Sequence, residues 1–501
     1  MGIGLPQYGN YKDMSMFKWY EKKTNVKFVF EAISGGETAI NNKKAIVMQS
    51  GKFPDMFTFY NNTFSDLELD KYGKEGAFVD VSGMLKDYAP NIAKELNDPV
   101  QVAINTMSDG SIYTIPNKNF NDSELTYEHW LNINKVWLKN VGYADGWYPK
   151  TMVELREVMR KFRDMDPNKN GKKDEIPYAT YIWADDMIIR YWGVTGGIQL
   201  DKNGKALYGR SSENAHQACI FWRDILNENG LVDKELDGSD ANGQFTKFLN
   251  AIGSGKVGIF NWSYITGWEK SLLDQYVAIP MPTANYTNPN YNLPKARQPF
   301  SSAITRGCKI ITKDCDSPEA LLRYYDYLYT DAGIMLSYWG SPDDGLYTLS
   351  GKQYKLTAKA KKVDPAKKCG LSWTMRAPHL TCMEVPLDTG DSSGTPHGKA
   401  YLKAANATYK AALKADPIPY YPPVIRTSEQ IAQMRKFSKF EGGGGHLSRY
   451  VEGYLDLAGW TTWVNSEASD VAAYTKLWQN IYNSNKKYWS WTDGDLNYGA
   501  W

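Results

Sequence analysis

Short strand-like apolar segments alternate with amphipathic helices along most of this chain, and no linker interrupts the series. Such alternation leaves few architectures open, because each element must bury one face against the next. Met16 to Lys23 fits an amphipathic helix, and Val26, Phe28 and Phe30 then alternate in a β pattern. Pro54 to Tyr60 predicts a second strand. Further strands are predicted at Gly110–Pro116, Lys256–Phe260, Tyr276–Pro280 and Lys309–Thr312. Thr151 and Glu154 form a capping box, followed by Leu155, Val158, Met159 and Phe162 on one helical face. Ser317-Pro318-Glu319 opens another helix, whose face is Leu321, Leu322, Tyr325 and Leu328; Ser212 opens a third. The fold class is therefore α/β. At 501 residues, the chain has room for two or three domains, or for one large two-lobed body. Without a clean linker the domains are expected to be interwoven.

The charges nearly cancel: 58 Lys+Arg against 56 Asp+Glu, a net of +2. A dedicated nucleic-acid binder would carry a basic domain or stripe, so no nucleic-acid partner is expected. The same balance argues against strong attraction to an anionic membrane. No apolar run reaches the ~18 residues of a membrane helix. Met1-Gly-Ile-Gly-Leu-Pro is no signal peptide. Taken bare, that start suggests a cytoplasmic protein; the other reading is that a leader has been trimmed. Five Cys occur without any CxxC, which removes support for zinc ribbons and thioredoxin-type chemistry. Whether Cys308 pairs with Cys315, or Cys369 with Cys382, stays open.

The sharpest local signal is Asp166-Pro-Asn-Lys-Asn-Gly-Lys-Lys-Asp-Glu175. Oxygen side chains recur at Asp166, Asn168, Asn170 and Asp174, and Gly171 permits a tight turn between them. A hard cation such as Ca²⁺ takes six to eight oxygens in a flexible cage, and this spacing wraps such a cage around one point. The carbonyl of Lys172 falls where calcium loops use a backbone oxygen. Position twelve of the loop is Pro177, so Glu175 has to supply the last carboxylate. A site this compact is structural, not catalytic. No enzyme motif accompanies it. The five His (129, 216, 379, 397 and 446) are scattered, and no HExxH, GxSxG, GxxxxGK[ST] or GxGxxG is present. No enzymatic activity is expected.

Aromatic residues make up 14% of the chain, with 17 Trp and 35 Tyr. Both carry a polar atom that needs a partner when buried, so a core does not call for so many. Several cluster past predicted strands: Tyr60 with Asn61; Trp183 with Asp185 and Asp186; and Trp262, Tyr264 and Trp268. In open α/β sheets, ligands bind beyond the carboxyl ends of the strands. Aromatic faces beside amides and carboxylates suit a sugar: rings cover its C–H face and polar groups take its hydroxyls. Trp339 and Trp373 join the candidate stacking residues, and Arg376 the hydroxyl-binding ones. Abundant Trp leans towards neutral, β-linked chains of several units.

In order along the chain, several blocks resemble extracellular solute-binding proteins of family 1, in the long oligosaccharide-binding branch with a calcium loop. They are Phe17-Lys-Trp-Tyr-Glu-Lys-Lys-Thr-Asn-Val-Lys, Ser50-Gly-Lys-Phe-Pro-Asp-Met, Asp109-Gly-Ser-Ile-Tyr-Thr-Ile-Pro, Ile133-Asn-Lys-Val-Trp-Leu and Pro149-Lys-Thr-Met-Val-Glu-Leu. The 166–177 loop, Asp201-Lys-Asn-Gly-Lys-Ala-Leu-Tyr-Gly, Gly230-Leu-Val-Asp and Gly255-Lys-Val-Gly-Ile-Phe follow. The block from Tyr338 departs from the family's usual Tyr-Gly-x-Glu-Gly, with Trp339 standing where a small residue is common.

The resemblance implies a two-lobed periplasmic-binding-protein type II fold with a cleft between lobes and hinge crossings. Lobe 1 is expected to comprise 1–117 plus 305–370, and lobe 2 118–304 plus 371–501. It implies structural Ca²⁺ held by Asp166, Asn168, Asn170, Lys172 through its carbonyl, Asp174 and Glu175. It further implies the substrate-binding component of a carbohydrate ABC importer, which captures an oligosaccharide and delivers it to membrane permease subunits. A monomer is expected, placed outside the cell as a surface lipoprotein whose signal peptide and lipidated Cys would precede Met1. The competing readings are a glycan-acting hydrolase or lyase and a surface glycan-display module.

Overall fold

The computed structural model describes residues 2–3, 11–33, 36–58, 64–97, 99–115, 131–179, 189, 192–194, 196–200, 204–232, 241–261, 269–280, 282, 309–351, 353–362, 387–388, 396–415, 421, 424–440, 450–451 and 456–486. The first sheet contains β1 (Gly2–Ile3), β2 (Ala32–Ile33), β3 (Met56–Thr58) and a late strand, β10 (Lys309–Ile311), in the order β10-β3-β1-β2. The first three run parallel, and β10 is antiparallel to β3, with Lys309 opposite Thr58 and Ile311 opposite Met56. The second sheet contains β4 (Leu131–Asn134), β5 (Ile176–Ala179), β8 (Val257–Asn261) and β9 (Tyr276–Ile279), in the order β5-β8-β4-β9. Here β5 and β8 are parallel, and β4 runs antiparallel to β8 and β9. Smaller additions are the β6 (Ile198–Leu200) and β7 (Ala206–Tyr208) hairpin and the β11 (Tyr347–Ser350), β12 (Gln353–Leu356), β13 (Leu387–Asp388) sheet.

Each sheet has its own core. Helices Ser15–Thr24 and Pro318–Leu328 bring Phe17, Tyr20, Leu322, Tyr324, Tyr325 and Leu328 to the first. Phe57, Phe64, Phe78 and Ile310 form an adjoining cluster. Asp326 stabilises this packing in a second way. Its Oδ1 accepts from the amides of Asn91 (2.7 Å) and Ile92 (2.9 Å), which opens the helix Pro90–Glu95. The predicted strand at Val26–Phe30 does not pair. Its alternation instead lays Phe28 and Phe30 against Phe17, with ring centroids at 5.6 and 4.7 Å, and the ladder begins at Ala32. Gly110–Pro116 likewise gives no strand over its described residues: Val81 bonds to the Ile112 carbonyl and Ile115 to that of Lys309, without a continuous ladder.

The second core shows why the 151–164 segment is helical. Thr151 and Glu154 exchange both capping-box hydrogen bonds, at 3.1 and 3.0 Å, at the head of the helix Met152–Asp164. Leu155, Val158, Met159 and Phe162 are fully buried, each contributing roughly 1.5–3 kcal/mol. The helix lies close to the sheet because Gly258 of β8 lacks a side chain; a Cβ there would meet Phe162 Cδ2 at 2.3 Å. On the outer side, Arg156, Arg160 and Arg163 converge on Glu228, with Arg160 Nε 2.6 Å from Oε1 and Arg156 Nη2 2.8 Å from Oε2. That ties the helix to the end of the helix Glu213–Asn227.

Many aromatics turn out to be core residues. Trp137, Trp192, Trp222 and Trp460 all belong to this one cluster, and Tyr276, Tyr324 and Tyr325 are fully buried. Tyr276 Oη reaches the Val257 carbonyl at 2.6 Å and Tyr325 Oη the hydroxyl of Thr58 at 3.3 Å, so these two polar tips find partners inside, whereas Tyr324 Oη is buried without one.

The guanidinium of Arg160, then that of Arg156, holds the Glu228 carboxyl at about 2, below its ordinary 4.5. A depressed carboxyl stabilises the fold fully above its unfolded value and loses that contribution as pH falls through the folded one. Glu228→Gln is therefore expected to cost on the order of 1 kcal/mol near neutral pH. The gap between wild type and variant should close between pH 4.5 and 2. Urea unfolding across that range measures it; a gap independent of pH would contradict the assignment.

Candidate functional site

Strand direction selects one edge of each sheet. In the first, β1, β2 and β3 all end at the edge where β10 begins. In the second, β5, β8 and β9 end together where β4 begins, with Leu131 opposite both Asn261 and Ile279. Among the described residues the chain passes between the two sheets at least three times, since Tyr401 lies on Asn132 of the second after β10 to β12, and two of these passages join these same edges. It leaves the first beside Ile115 and enters the second at Leu131; it leaves the second after Ile279 and returns at Lys309. Both sheets thus present their strand carboxyl ends where the connections run, which is the crevice an α/β fold offers a ligand.

Buried polar groups line the described part of these edges. Tyr178 Oη donates to Asn261 Oδ1. Asn132 accepts from Tyr401 Oη at 2.8 Å, and its Nδ2 reaches the Phe260 carbonyl at 3.4 Å. On the other sheet Thr58 meets Tyr325, and Lys309 is wholly buried. Sequence reading missed these groups. The available signal was Leu131-Asn-Ile-Asn134, where two amides interrupt a strand that is buried on both faces.

Of the predicted ligand-binding residues, Tyr60, Asn61, Trp183, Asp185, Asp186, Trp262, Tyr264, Trp268, Trp373 and Arg376 lie outside the described residues. Three groups of them follow described strands in sequence: 60–61 after β3, 183–186 after β5 and 262–268 after β8. Trp339 is described. It ends the helix Asp331–Trp339, half-buried against Met335, Leu346, Tyr347, Tyr354 and Leu356.

All six predicted metal ligands are described, and they form one tight loop between the helix Met152–Asp164 and β5. Asp166 and Lys169 adopt positive φ of 45° and 58°, and Gly171 of 72°. The Asp166 carboxylate accepts from the Asn170 amide at 3.1 Å and the Gly171 amide at 3.0 Å. Asn168 Oδ1 takes the Asn170 amide at 2.9 Å, and Asn170 Oδ1 that of Lys172 at 2.7 Å. Asp174 accepts from Asn170 Nδ2 at 2.9 Å and pairs with Lys256 Nζ at 2.9 Å; these donors hold its carboxyl at about 2. Glu175 differs. Its Oε1 is buried without a hydrogen-bond partner, and burial, followed by the charges of Asp166 and Asp174, pushes its carboxyl upward. Among the described residues, no three carboxylate, imidazole or thiolate side chains converge as a metal site by themselves. A cation here would depend on the amide and carbonyl oxygens as well. The donor chemistry suits a hard cation, and the unpartnered Glu175 oxygen is the atom one would satisfy.

Residues 6–335 match the family described as bacterial extracellular solute-binding protein. The chain belongs to this family. Among curated relatives, the fructooligosaccharide ABC transporter substrate-binding protein FusA of Streptococcus pneumoniae serotype 4 is 28% identical over 318 residues, covering 60% of this chain and 55% of FusA. The chain spans a third to just over half the length of the curated relatives it matches. A solved HMO-binding solute-binding protein of Bifidobacterium longum infantis superposes with a TM-score of 0.74 at 20% identity, over 96% of this chain and 97% of that one. An EF-hand mutant of S. pneumoniae FusA in complex with fructo-nystose gives 0.71 at 21% identity, over 97% and 98%. These likenesses establish the two-lobed, type II periplasmic-binding-protein fold.

Within this solute-binding protein the loop geometry depends on Gly171, since φ of 72° is one that L side chains avoid. Gly171→Ala meets no atom within 4 Å, so backbone strain alone should cost about 1–2 kcal/mol. Thermal unfolding in chelator measures this; an unchanged melting temperature would show that the turn is not held as described.

Proposed function

We propose that this protein is the substrate-binding component of a carbohydrate ABC importer, which captures an oligosaccharide between its lobes and delivers it to membrane permease subunits. The observation that carries the reading is topological. Both sheets turn their strand carboxyl ends towards the two chain crossings, and aromatic–polar clusters follow three of those strands in sequence. The names of its relatives support a sugar: FusA is described as fructooligosaccharide-binding, and the Bifidobacterium protein as HMO-binding.

In this mechanism sugar docks on one lobe, and rotation about the crossings encloses it. Trp183, Trp262, Tyr264, Trp268, Trp339 and Trp373 stack on pyranose or furanose faces, joined by Tyr60. Asn61, Asp185, Asp186 and Arg376 take hydroxyls. No bond is made or broken. The protein acts as a monomer outside the cell, held at the surface by a lipid anchor.

Asp166, Asn168, Asn170, Asp174, Glu175 and the Lys172 carbonyl would hold Ca²⁺, whose charge neutralises the acidic cluster and cross-links the loop. The EF-hand named for the FusA structure supports this assignment.

Calorimetric titration against neutral oligosaccharides of graded length is expected to show saturable binding. Small-angle scattering should show compaction at saturation, and chromatography should show intact sugar. Released fragments would favour a hydrolase or lyase, and binding without compaction a display module. Chelator is expected to lower the melting temperature and added Ca²⁺ to restore it. A melting curve indifferent to both removes the metal from the proposal.

A further inference from the structure

The C-terminal part of the chain touches both sheet units, and it does so with different chemistry on each side. Tyr421 and Ile425 are fixed to the long helix Leu457–Asn485. Tyr421 Oη donates to the Trp478 carbonyl at 2.6 Å. Asn485, buried, clamps Ile425 both ways: its Oδ1 accepts from the Ile425 amide and its Nδ2 donates to the Ile425 carbonyl, each at 2.9 Å. Tyr421, Val424 and Met434 share an apolar cluster with Leu200 and Ala206 of the β6–β7 hairpin and with Leu477, Ile481 and Tyr482. This side of the contact joins an apolar cluster to buried hydrogen bonds.

The short helix Ser428–Met434 then meets the first unit. Its partner is the helix Asp66–Lys74, which follows β3 of the first sheet. Arg426 pairs with Asp66, both side chains being largely buried, while its guanidinium lies 5.8 Å from the centre of the Trp478 ring. Ser428 Oγ donates to Asp70 Oδ1 at 3.0 Å, Lys74 Nζ lies 2.8 Å from the same oxygen, and Lys74 also reaches Ser428. Ile431 is the one apolar side chain of this helix that joins the first unit's cluster, beside Phe57 and Leu69. The lobe division read from sequence places 371–501 in lobe 2, yet residues 426–431 pack on a helix of the first sheet.

We infer that Ser428–Met434 is a charge-held latch between the lobes. It travels with the second unit, to which the Asn485 clamp and the apolar cluster fix it. It docks on the first through Arg426–Asp66 and Ser428–Asp70–Lys74. A packed apolar contact resists sliding, whereas a face made of two polar contacts and one apolar anchor can release and re-form. The two carboxylates on one helix therefore set how freely the lobes turn about the chain crossings. The inference rests on the two-lobed fold and needs no sugar, so its failure would leave the oligosaccharide reading standing.

The test uses the full chain without ligand. Thiol-independent spin labels at exposed Lys86, in the first unit, and exposed Ser469, on the Leu457–Asn485 helix, report the distance between halves by double electron–electron resonance. Wild type is expected to give one narrow distribution. Asp66→Asn keeps the shape of the side chain but removes its charge, and should broaden that distribution about twofold as further lobe angles become populated. Asp70→Asn, which leaves the Arg426–Asp66 pair in place, should broaden it less. Arg426→Lys keeps a cation and should stay near wild type. A distribution unchanged in both Asp variants overturns the latch, even if their melting temperatures fall, because a merely structural pair would move stability alone.

Discussion

The pairing of β10 with β3 governs this molecule. Lys309, Ile310 and Ile311 sit opposite Thr58, Phe57 and Met56, joining residues some 250 positions apart. The chain builds one sheet, leaves it to build a second, and is then drawn back to complete the first. Both connections therefore start and finish at the edges where the strands have their carboxyl ends, the place an α/β fold offers a ligand. The pairing is well anchored: Phe57, Ile310 and Lys309 are fully buried, and Thr312 Oγ1 reaches back to the Pro54 carbonyl at 2.7 Å. Each half thereby keeps a core of its own.

Aromatic richness has a more ordinary explanation than a first look at the composition suggests. Trp137, Trp192 and Trp222 serve the second core, and Tyr324 and Tyr325 the first. Ring pairs such as Tyr20–Tyr324 (4.8 Å, 85°) and Trp137–Phe162 (5.3 Å, 89°) are edge-to-face packing. A high count of Trp and Tyr therefore does not by itself point to a sugar site. The proposed sugar contacts rest instead on sequence position, in clusters that follow β3, β5 and β8 along the chain. Trp339, the one candidate among the described residues, packs partly against the β11–β12 cluster and keeps part of its surface open.

Local chemistry was the most legible part of the sequence. The capping box at Thr151, the apolar face ending in Phe162 and the turn at Gly171 all formed as their side chains dictate. Each depends on contacts within a few residues, which a reader of sequence can weigh. Val26–Phe30 was misread because alternation reports which side is buried, not whether a neighbouring strand is present to bond with. The polar edge residues Tyr178, Asn261, Asn132 and Tyr401 were not visible either. Asn132 and Tyr401 are 269 positions apart, and no local pattern brings them together.

Sequence alone determined the α/β class, the helix starts, the oxygen spacing from Asp166 to Glu175 and the family. Those follow from periodicity, capping and the order of short blocks, all properties of neighbouring residues. Only the tertiary structure decided which strand ends share an edge, that Glu175 keeps a buried oxygen without a partner, and that residues 426–431 reach across to Asp66 and Asp70. The physical reason is distance along the chain: pairing over hundreds of residues is selected by the packing of the whole, and no local segment carries a record of its partner.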